Sequence, residues 1–93
     1  MIETRDGVAS LQGPVTLETA AGLLAELRPL IASDLKAVTF SQISEVDSAA
    51  LGLILSCRRE AGKHGRDDLK FTDLPANLTA LAALYGVSKL IAQ

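Results

Sequence analysis

Short runs of alternating apolar and polar residues near the start of the chain predict extended structure. Two such runs, at 2–5 and 8–11, are joined by Asp6-Gly7. An Asp-Gly pair between alternating runs is typical of a two-residue hairpin turn. The sequence therefore predicts an antiparallel β-hairpin, which the Gly-Pro pair at 13–14 is expected to close.

Apolar residues then recur at the spacing of a helix. Thr16 is placed to cap a helix over about 17–32. Pro29 lies inside this stretch, and because proline lacks an N–H we expect a kink or an early end of the helix there. The apolar stripe predicted to face the core consists of Leu17, Ala20, Leu24, Leu27 and Ile31.

The rest of the chain alternates between strand and helix patterns. Residues 37–40 form a compact strand pattern, and the polar stretch 41–46 after it is expected to be a loop. A second helix is predicted over about 48–64, with Gly65 as its stop. The remaining predicted elements are a strand at 69–72, a helix from Pro75 to about Tyr85, and a helical turn or short strand at 87–91.

This order of elements predicts the fold class. Strands alternating with helices favour an α/β fold whose sheet is mostly parallel, with one antiparallel hairpin at its start. A chain of 93 residues has room for one modest core. Because it contains no repeat and no linker, we expect a single domain over 1–93.

Composition excludes several classes of function. The chain is 48% hydrophobic, but with two Phe, one Tyr and no Trp it has little aromatic surface for stacking bases or sugars. Nine basic and eleven acidic residues leave a net charge of −2 without a basic stripe, which argues against nucleic acid as a partner.

Cysteine usage and hydropathy indicate a compartment. A single cysteine cannot form an internal disulfide, which fits a reducing environment. The chain starts without an apolar signal segment, and no stretch approaches the length of a membrane span. We expect a cytoplasmic protein that meets a membrane only indirectly, through a partner.

The start of the second predicted helix carries the strongest functional signal. Asp47 is placed to cap this helix, where its carboxylate can accept backbone N–H groups. Ser48 falls in the first turn, where orphan N–H groups would favour a phosphate on its hydroxyl. Gly52 costs about 1 kcal/mol relative to alanine inside a helix. A bare patch beside Ser48, flanked by Leu55, predicts a surface that another protein approaches closely.

Helical spacing divides this second helix into two faces. The face expected to pack on the sheet consists of Ala50, Leu51, Ile54, Cys57 and Ala61. The opposite face consists of Ser48, Gly52, Ser56, Arg59 and Lys63. This arrangement predicts a surface on which another protein docks and which carries no catalytic groups.

Residues 46–52, Val-Asp-Ser-Ala-Ala-Leu-Gly, resemble the Asp-Ser-(Ser/Ala/Gly)-Gly-Leu-Gly signature of STAS domains. Segments 13–24 and 38–44 also fall where that family has them, so the resemblance spans essentially the whole chain. It implies the STAS fold, a mixed four- to five-stranded sheet packed with helices.

The resemblance implies two main functions. In MlaB-type subunits of phospholipid transporters, a Ser or Thr matching Ser48 lies on the face that docks the ATPase of the ABC transporter. In anti-sigma-factor antagonists this serine is phosphorylated by a partner kinase and dephosphorylated again, which switches binding. Residues 81–87 are similar to the Leu-Ala-x-Leu-Tyr-x-Leu ending of MlaB-type proteins, which favours the first interpretation. A STAS module of another sensory complex is a third.

Two positions depart from the family pattern. Thr39 stands where the family usually has an Asp, and Ala50 stands where it has a glycine. The missing carboxylate at Thr39 is expected to weaken a phosphorylation switch at Ser48. The partner contact is then expected to consist of Asp47, Ser48, Gly52, Leu55 and Arg59.

Other chemically active residues lack the partners that catalysis needs. Cys57 falls on the buried face, and His64, the only histidine, lies at a helix end. Basic residues at 58, 59, 63 and 66 are expected to form a solvated helix end, with a contact to an acidic partner as the alternative. With no phosphate-binding glycine loop, no metal-ligand spacing and no nucleophile–base–acid trio, we expect no enzymatic activity, no cofactor and no metal.

Overall fold

The computed structural model describes residues 2–66 and 68–91, and it confirms the predicted order of strands and helices. The predicted tail element is a short helix. The strands are β1 (Ile2–Arg5), β2 (Val8–Val15), β3 (Ala37–Val46) and β4 (Lys70–Thr72), and the helices are α1 (Ala20–Ser33), α2 (Ala49–Lys63), α3 (Ala76–Leu84) and α4 (Ser88–Ile91).

The strands form one mixed sheet in the order β1-β2-β3-β4. β1 and β2 pair antiparallel, whereas β2 with β3 and β3 with β4 pair parallel. Asp6 and Gly7 have φ angles of 53° and 80°. Positive φ at both turn residues is the requirement of the type I′ hairpin. The predicted hairpin and the α/β fold class are therefore confirmed.

Two predictions about strand ends are wrong. β2 does not close at the Gly-Pro pair but continues through Pro14 to Val15, and the predicted loop at 41–46 is the second half of β3. The two extensions pair with each other, with a register shift beside Pro14. β1 pairs with β2 only as far as Leu11, so nothing in β1 pairs with Pro14. The missing N–H of Pro14 therefore removes no sheet hydrogen bond on that side.

The first helix begins later than predicted, and it does not end early at Pro29. α1 starts at Ala20 and runs through Pro29 to Ser33, so the early end expected at this proline does not occur. Thr16 does not cap the helix with its side chain. Its carbonyl oxygen instead accepts the N–H groups of Thr19 and Ala20.

The apolar stripe of α1 is shifted from the predicted one. Leu27 and Ile31 are buried as expected, and Leu23 is buried with them, while Leu24 is only half-buried. Leu17 precedes the helix and is 81% exposed. The stripe prediction is therefore wrong for Leu17, because the chain does not yet follow a helical path there.

Helices α1 and α2 lie side by side and parallel. Their first turns border a common groove, and farther along Arg28 of α1 contacts Glu60 of α2 at 3.6 Å. Each helix follows one of the parallel strands β2 and β3. The N-termini of both helices therefore lie together at the end of the sheet where the carboxyl ends of β2 and β3 lie. Every described helix is too short or too polar to cross a bilayer.

Candidate docking surface

Asp47 connects three segments of the chain at this end of the sheet. Its Oδ1 accepts the N–H of Ala49 at 2.8 Å, which caps α2 as predicted. Its Oδ2 accepts the N–H of Leu17 at 3.1 Å, and its own N–H donates to the carbonyl of Val15 at 3.3 Å. The carboxylate therefore holds the start of α2 and the β2–α1 loop together.

Ser48 is exposed beside this junction, as the sequence predicted. Its φ of −63° and ψ of −19° are already helical, and its carbonyl accepts the N–H of Leu51. The backbone N–H that the Asp47 carboxylate accepts at the start of α2 is that of the next residue, Ala49. The Ser48 hydroxyl makes no capping bond to the described helix, so it is available to a partner or a modifying enzyme.

The outer face of α2 is open around Gly52. This glycine is exposed, and a Cβ added there would meet nothing within 4 Å. Arg59 is exposed on the same face, and Ser56 is half-buried. Leu55 is half-buried and packs against the core, so it offers only part of its side chain to a partner. A glutamate at Leu55 would therefore destabilise the fold as well as disturb docking.

The buried face of α2 is wider than predicted. Leu53, which the sequence pattern left unassigned, is 4% exposed. It is buried because α2 packs against α1 as well as the sheet, and two neighbours cover a broader arc than one. The residues assigned to the core, Ala50, Leu51, Ile54, Cys57 and Ala61, are all buried.

A shallow groove of about 290 Å³ separates the first turns of α1 and α2. It is lined by uncharged and mostly small residues, so another backbone can approach it closely. The groove continues the open patch at Gly52 towards α1. Its lining residues are Ala20, Ala21, Leu24, Ala49, Gly52, Leu53 and Ser56.

Three large apolar residues are exposed in the part of the chain that the structure describes, although the sequence placed Leu17 in the core and gave Leu84 and Tyr85 no exposed role. Leu17 is 81% exposed, Leu84 75% and Tyr85 58%. The last two lie at the end of α3, within a run at 74–87 that contains no charged residue. An uncharged surface helix was a signal in the sequence, because solvated helices normally carry charges on their outer face. No local signal marked Leu17, because its exposure follows from where α1 begins.

Two of the four basic residues near the end of α2 are structural, which corrects the expectation of a solvated cluster. Arg66 reaches the C-terminus of α1 and donates to the carbonyls of Ile31, Ser33 and Leu35. Arg59 and Lys63 remain exposed.

Arg58 also packs inward. Its guanidinium lies 4.9 Å from the Phe71 ring centroid and donates to the carbonyl of Leu69 at 3.2 Å. Burial lowers the pKa of this guanidinium from its ordinary value. Its Nη2 has no hydrogen-bond partner among the residues that the structure describes.

Thr39 does not lie near Ser48, contrary to expectation. It is in the first half of β3, where its hydroxyl donates to the Asp73 carboxylate at 2.8 Å. Seven residue steps of strand separate it from Val46, which is about 23 Å at about 3.3 Å per residue. A carboxylate at this position would be too distant to influence the Ser48 hydroxyl, because salt screens charges beyond about 8–10 Å.

Cys57 is a core residue. Burial raises the pKa of its thiol to about 12. We expect thiol-specific reagents to modify the native protein at least about 1,000-fold more slowly than a free cysteine peptide at mildly alkaline pH, because the thiolate is the reactive form. Rapid labelling in guanidinium is the control, and equally rapid labelling of the native protein would contradict burial.

His64 makes a local hydrogen bond with Glu60. It flanks the C-terminus of α2, and its Nε2 lies 3.2 Å from Oε2 of Glu60, which also contacts Arg28 and Lys63. Within residues 2–66 and 68–91, no group of three His, Cys, Asp or Glu side chains is placed to hold a metal ion.

A family model and two solved structures match nearly the whole of this chain. The family model described as "Mlab, STAS domain" matches residues 2–92. The anti-sigma factor antagonist SpoIIAA in its unphosphorylated form is 16% identical, with a TM-score of 0.72 over 98% of this chain and 84% of the other. The Bacillus cell fate determinant SpoIIAA in the phosphorylated form is also 16% identical, with a TM-score of 0.68 over 98% and 86%. No curated protein sequence matches.

Proposed function

The chain belongs to the MlaB-type STAS domain family, and from this premise we propose that it is a single-domain, non-catalytic interaction module. It acts as the cytoplasmic accessory subunit that docks the ATPase of a phospholipid ABC transporter. Its contact with the membrane is indirect, through the transporter complex, and it binds neither nucleic acid nor a cofactor.

The observation that carries this proposal is the open, uncharged surface at the start of α2. Ser48 and Gly52 are exposed there, and the groove beside them has no charged lining residue. The centres of protein interfaces are depleted in charged residues, with polar groups at the rim. Arg59 lies one turn beyond Leu55 on this helix and supplies such a rim charge.

Each contact residue has a distinct role in this proposal. Ser48 donates or accepts a hydrogen bond, and Gly52 lets the partner backbone approach α2. Leu55 adds a partial apolar contact, while Asp47 holds the edge of the surface in place through its two backbone hydrogen bonds.

A second exposed apolar area, at the end of α3, also fits a surface that a partner covers. Leu84 and Tyr85 lie in the segment at 81–87 that resembles the ending of MlaB-type proteins. Aromatic residues are enriched in protein interfaces. We include this pair in the surface that a partner covers.

An anti-sigma-factor antagonist is the second candidate. The free hydroxyl of Ser48 at a helix N-terminus favours it, because a phosphate there would meet a positive helix end. Its partners would be a serine kinase and an anti-sigma factor. The MlaB-type family match and the uncharged surface favour the transporter subunit over the antagonist, and the distant Thr39 does not bear on this choice.

Substitutions at Ser48 distinguish the two functions. If Ser48 is a packed interface contact, Ser48→Thr should bind the purified ATPase subunit like the wild type, and Ser48→Asp should bind at least about tenfold more weakly, because a carboxylate must be desolvated on docking. Intact-mass spectra of protein from its native host should then show no phosphate. A substantial phosphorylated fraction that Ser48→Ala removes would instead establish the antagonist function.

A further inference from the structure

The loop that precedes α1 is held in one conformation by hydrogen bonds. The hydroxyl of Thr19 accepts the N–H of Thr16 at 3.0 Å and donates to the carbonyl of Pro14 at 3.0 Å. The bond from the Leu17 N–H to Asp47 ties the loop to the start of α2. The loop is thus organised before any partner arrives, which reduces the entropy lost on binding.

This organised loop presents a leucine to solvent. Leu17 is 81% exposed, so its side chain contributes little to the core. Its N–H is bonded to the same carboxylate that caps α2, so Leu17 and Ser48 flank one side chain, Asp47. The apolar side chain therefore stands beside the proposed docking surface, on the side of α1.

The charges around Leu17 indicate the kind of partner surface that would be complementary to it. The Asp47 carboxylate accepts two backbone N–H groups, and the adjacent groove is uncharged. Glu18, next to Leu17, is exposed. A complementary partner surface would therefore be an aliphatic pocket with a basic residue at its rim.

We propose that Leu17 is an anchor that inserts into such a pocket on the transporter ATPase, and that Asp47 is the positioning residue that presents it. This inference rests on the proposed docking function and extends the contact from α2 to the β2–α1 loop. It also makes the positioning role of Asp47 specific, because Asp47 then acts by holding Leu17 in place rather than by touching the partner.

Two substitutions separate these roles. Leu17→Ala removes the side chain but keeps the N–H that bonds to Asp47. Asp47→Asn keeps one acceptor oxygen, which suffices to cap α2 because Asn and Asp are comparable caps, but loses the second oxygen that holds the loop. Lys36→Ala is the control. Lys36 is exposed and precedes β3, so it lies at the opposite end of this strand from Asp47.

The test is a double-mutant cycle with the purified ATPase subunit. Each single variant should raise Kd about tenfold, the scale of an interface anchor. The double variant should be no weaker than Leu17→Ala, rather than the product of about 100-fold that independent effects would give. Lys36→Ala should bind like the wild type. Hydrogen exchange at the Leu17 amide should accelerate in Asp47→Asn only.

The outcomes separate this inference from the proposed function. Wild-type binding with an unaffected Leu17→Ala variant would overturn the anchor and leave the docking function standing. Multiplicative effects, or unchanged exchange at Leu17 in Asp47→Asn, would overturn the positioning role. If the wild type does not bind the ATPase, the proposed function itself fails and the anchor fails with it.

Discussion

Replacing Gly52 by Arg is expected to weaken binding of the ATPase subunit at least about 100-fold without lowering the melting temperature. Gly52 is exposed, and a Cβ there meets nothing within 4 Å, so the larger side chain fits the isolated protein. Arginine favours a helix over glycine by about 0.8–1 kcal/mol, so the variant should be slightly more stable. The same side chain would occupy the space that the partner needs.

Gly62 provides a matched control in the same helix. It is also exposed, and a Cβ there likewise meets nothing within 4 Å, but it lies at the far end of α2 from Ser48. Gly62→Arg should therefore raise stability and keep binding. Calorimetric titration and thermal melting of both variants are the measurements. Equal binding by Gly52→Arg and the wild type would exclude this face of α2 from the interface.

Replacing Arg66 by Ala is expected to lower the free energy of unfolding by about 2 kcal/mol, the scale of hydrogen bonds to a charged group. Its Nη1 donates to Ile31 at 3.0 Å and Ser33 at 3.3 Å, and its Nη2 donates to Leu35. The carbonyls at the end of α1 otherwise lack helical partners, and a positive charge there complements the helix dipole. Such a loss would lower the melting temperature of a domain of this size by about 10 °C.

Urea unfolding of Arg66→Ala, Arg66→Lys and Arg59→Ala tests this role. Lysine offers one charged group in place of the planar fork, so Arg66→Lys should be intermediate in stability. Arg59 is exposed on the outer face of α2, and Arg59→Ala should stay within about 0.5 kcal/mol of the wild type. If Arg66→Ala were as stable as Arg59→Ala, the contacts of Arg66 with α1 would carry no net stabilisation.

The features that were predicted correctly from the sequence are governed by neighbouring residues. The Asp6-Gly7 turn needs only two residues that tolerate positive φ. The bounds of α2, the five residues predicted for its buried face and its cap by Asp47 follow from spacing within about one helix length. The exposure of Ser48 followed from the same spacing. Local preference and side-chain period act within a few residues, so they are readable before any tertiary contact is known.

The features that were missed depend on segments distant in sequence. Residues 41–46 are polar and resemble a loop, but they extend β3 because the end of β2 pairs with them. Arg66 looked like part of a solvated cluster until the fold brought it to the end of α1. Leu17 was placed in the core on helical spacing, and only the bond to Asp47, thirty residues away, shows that it stands beside the start of α2. Strand pairing and backbone capping by remote side chains leave no periodic trace in the sequence, so the tertiary structure alone reveals them.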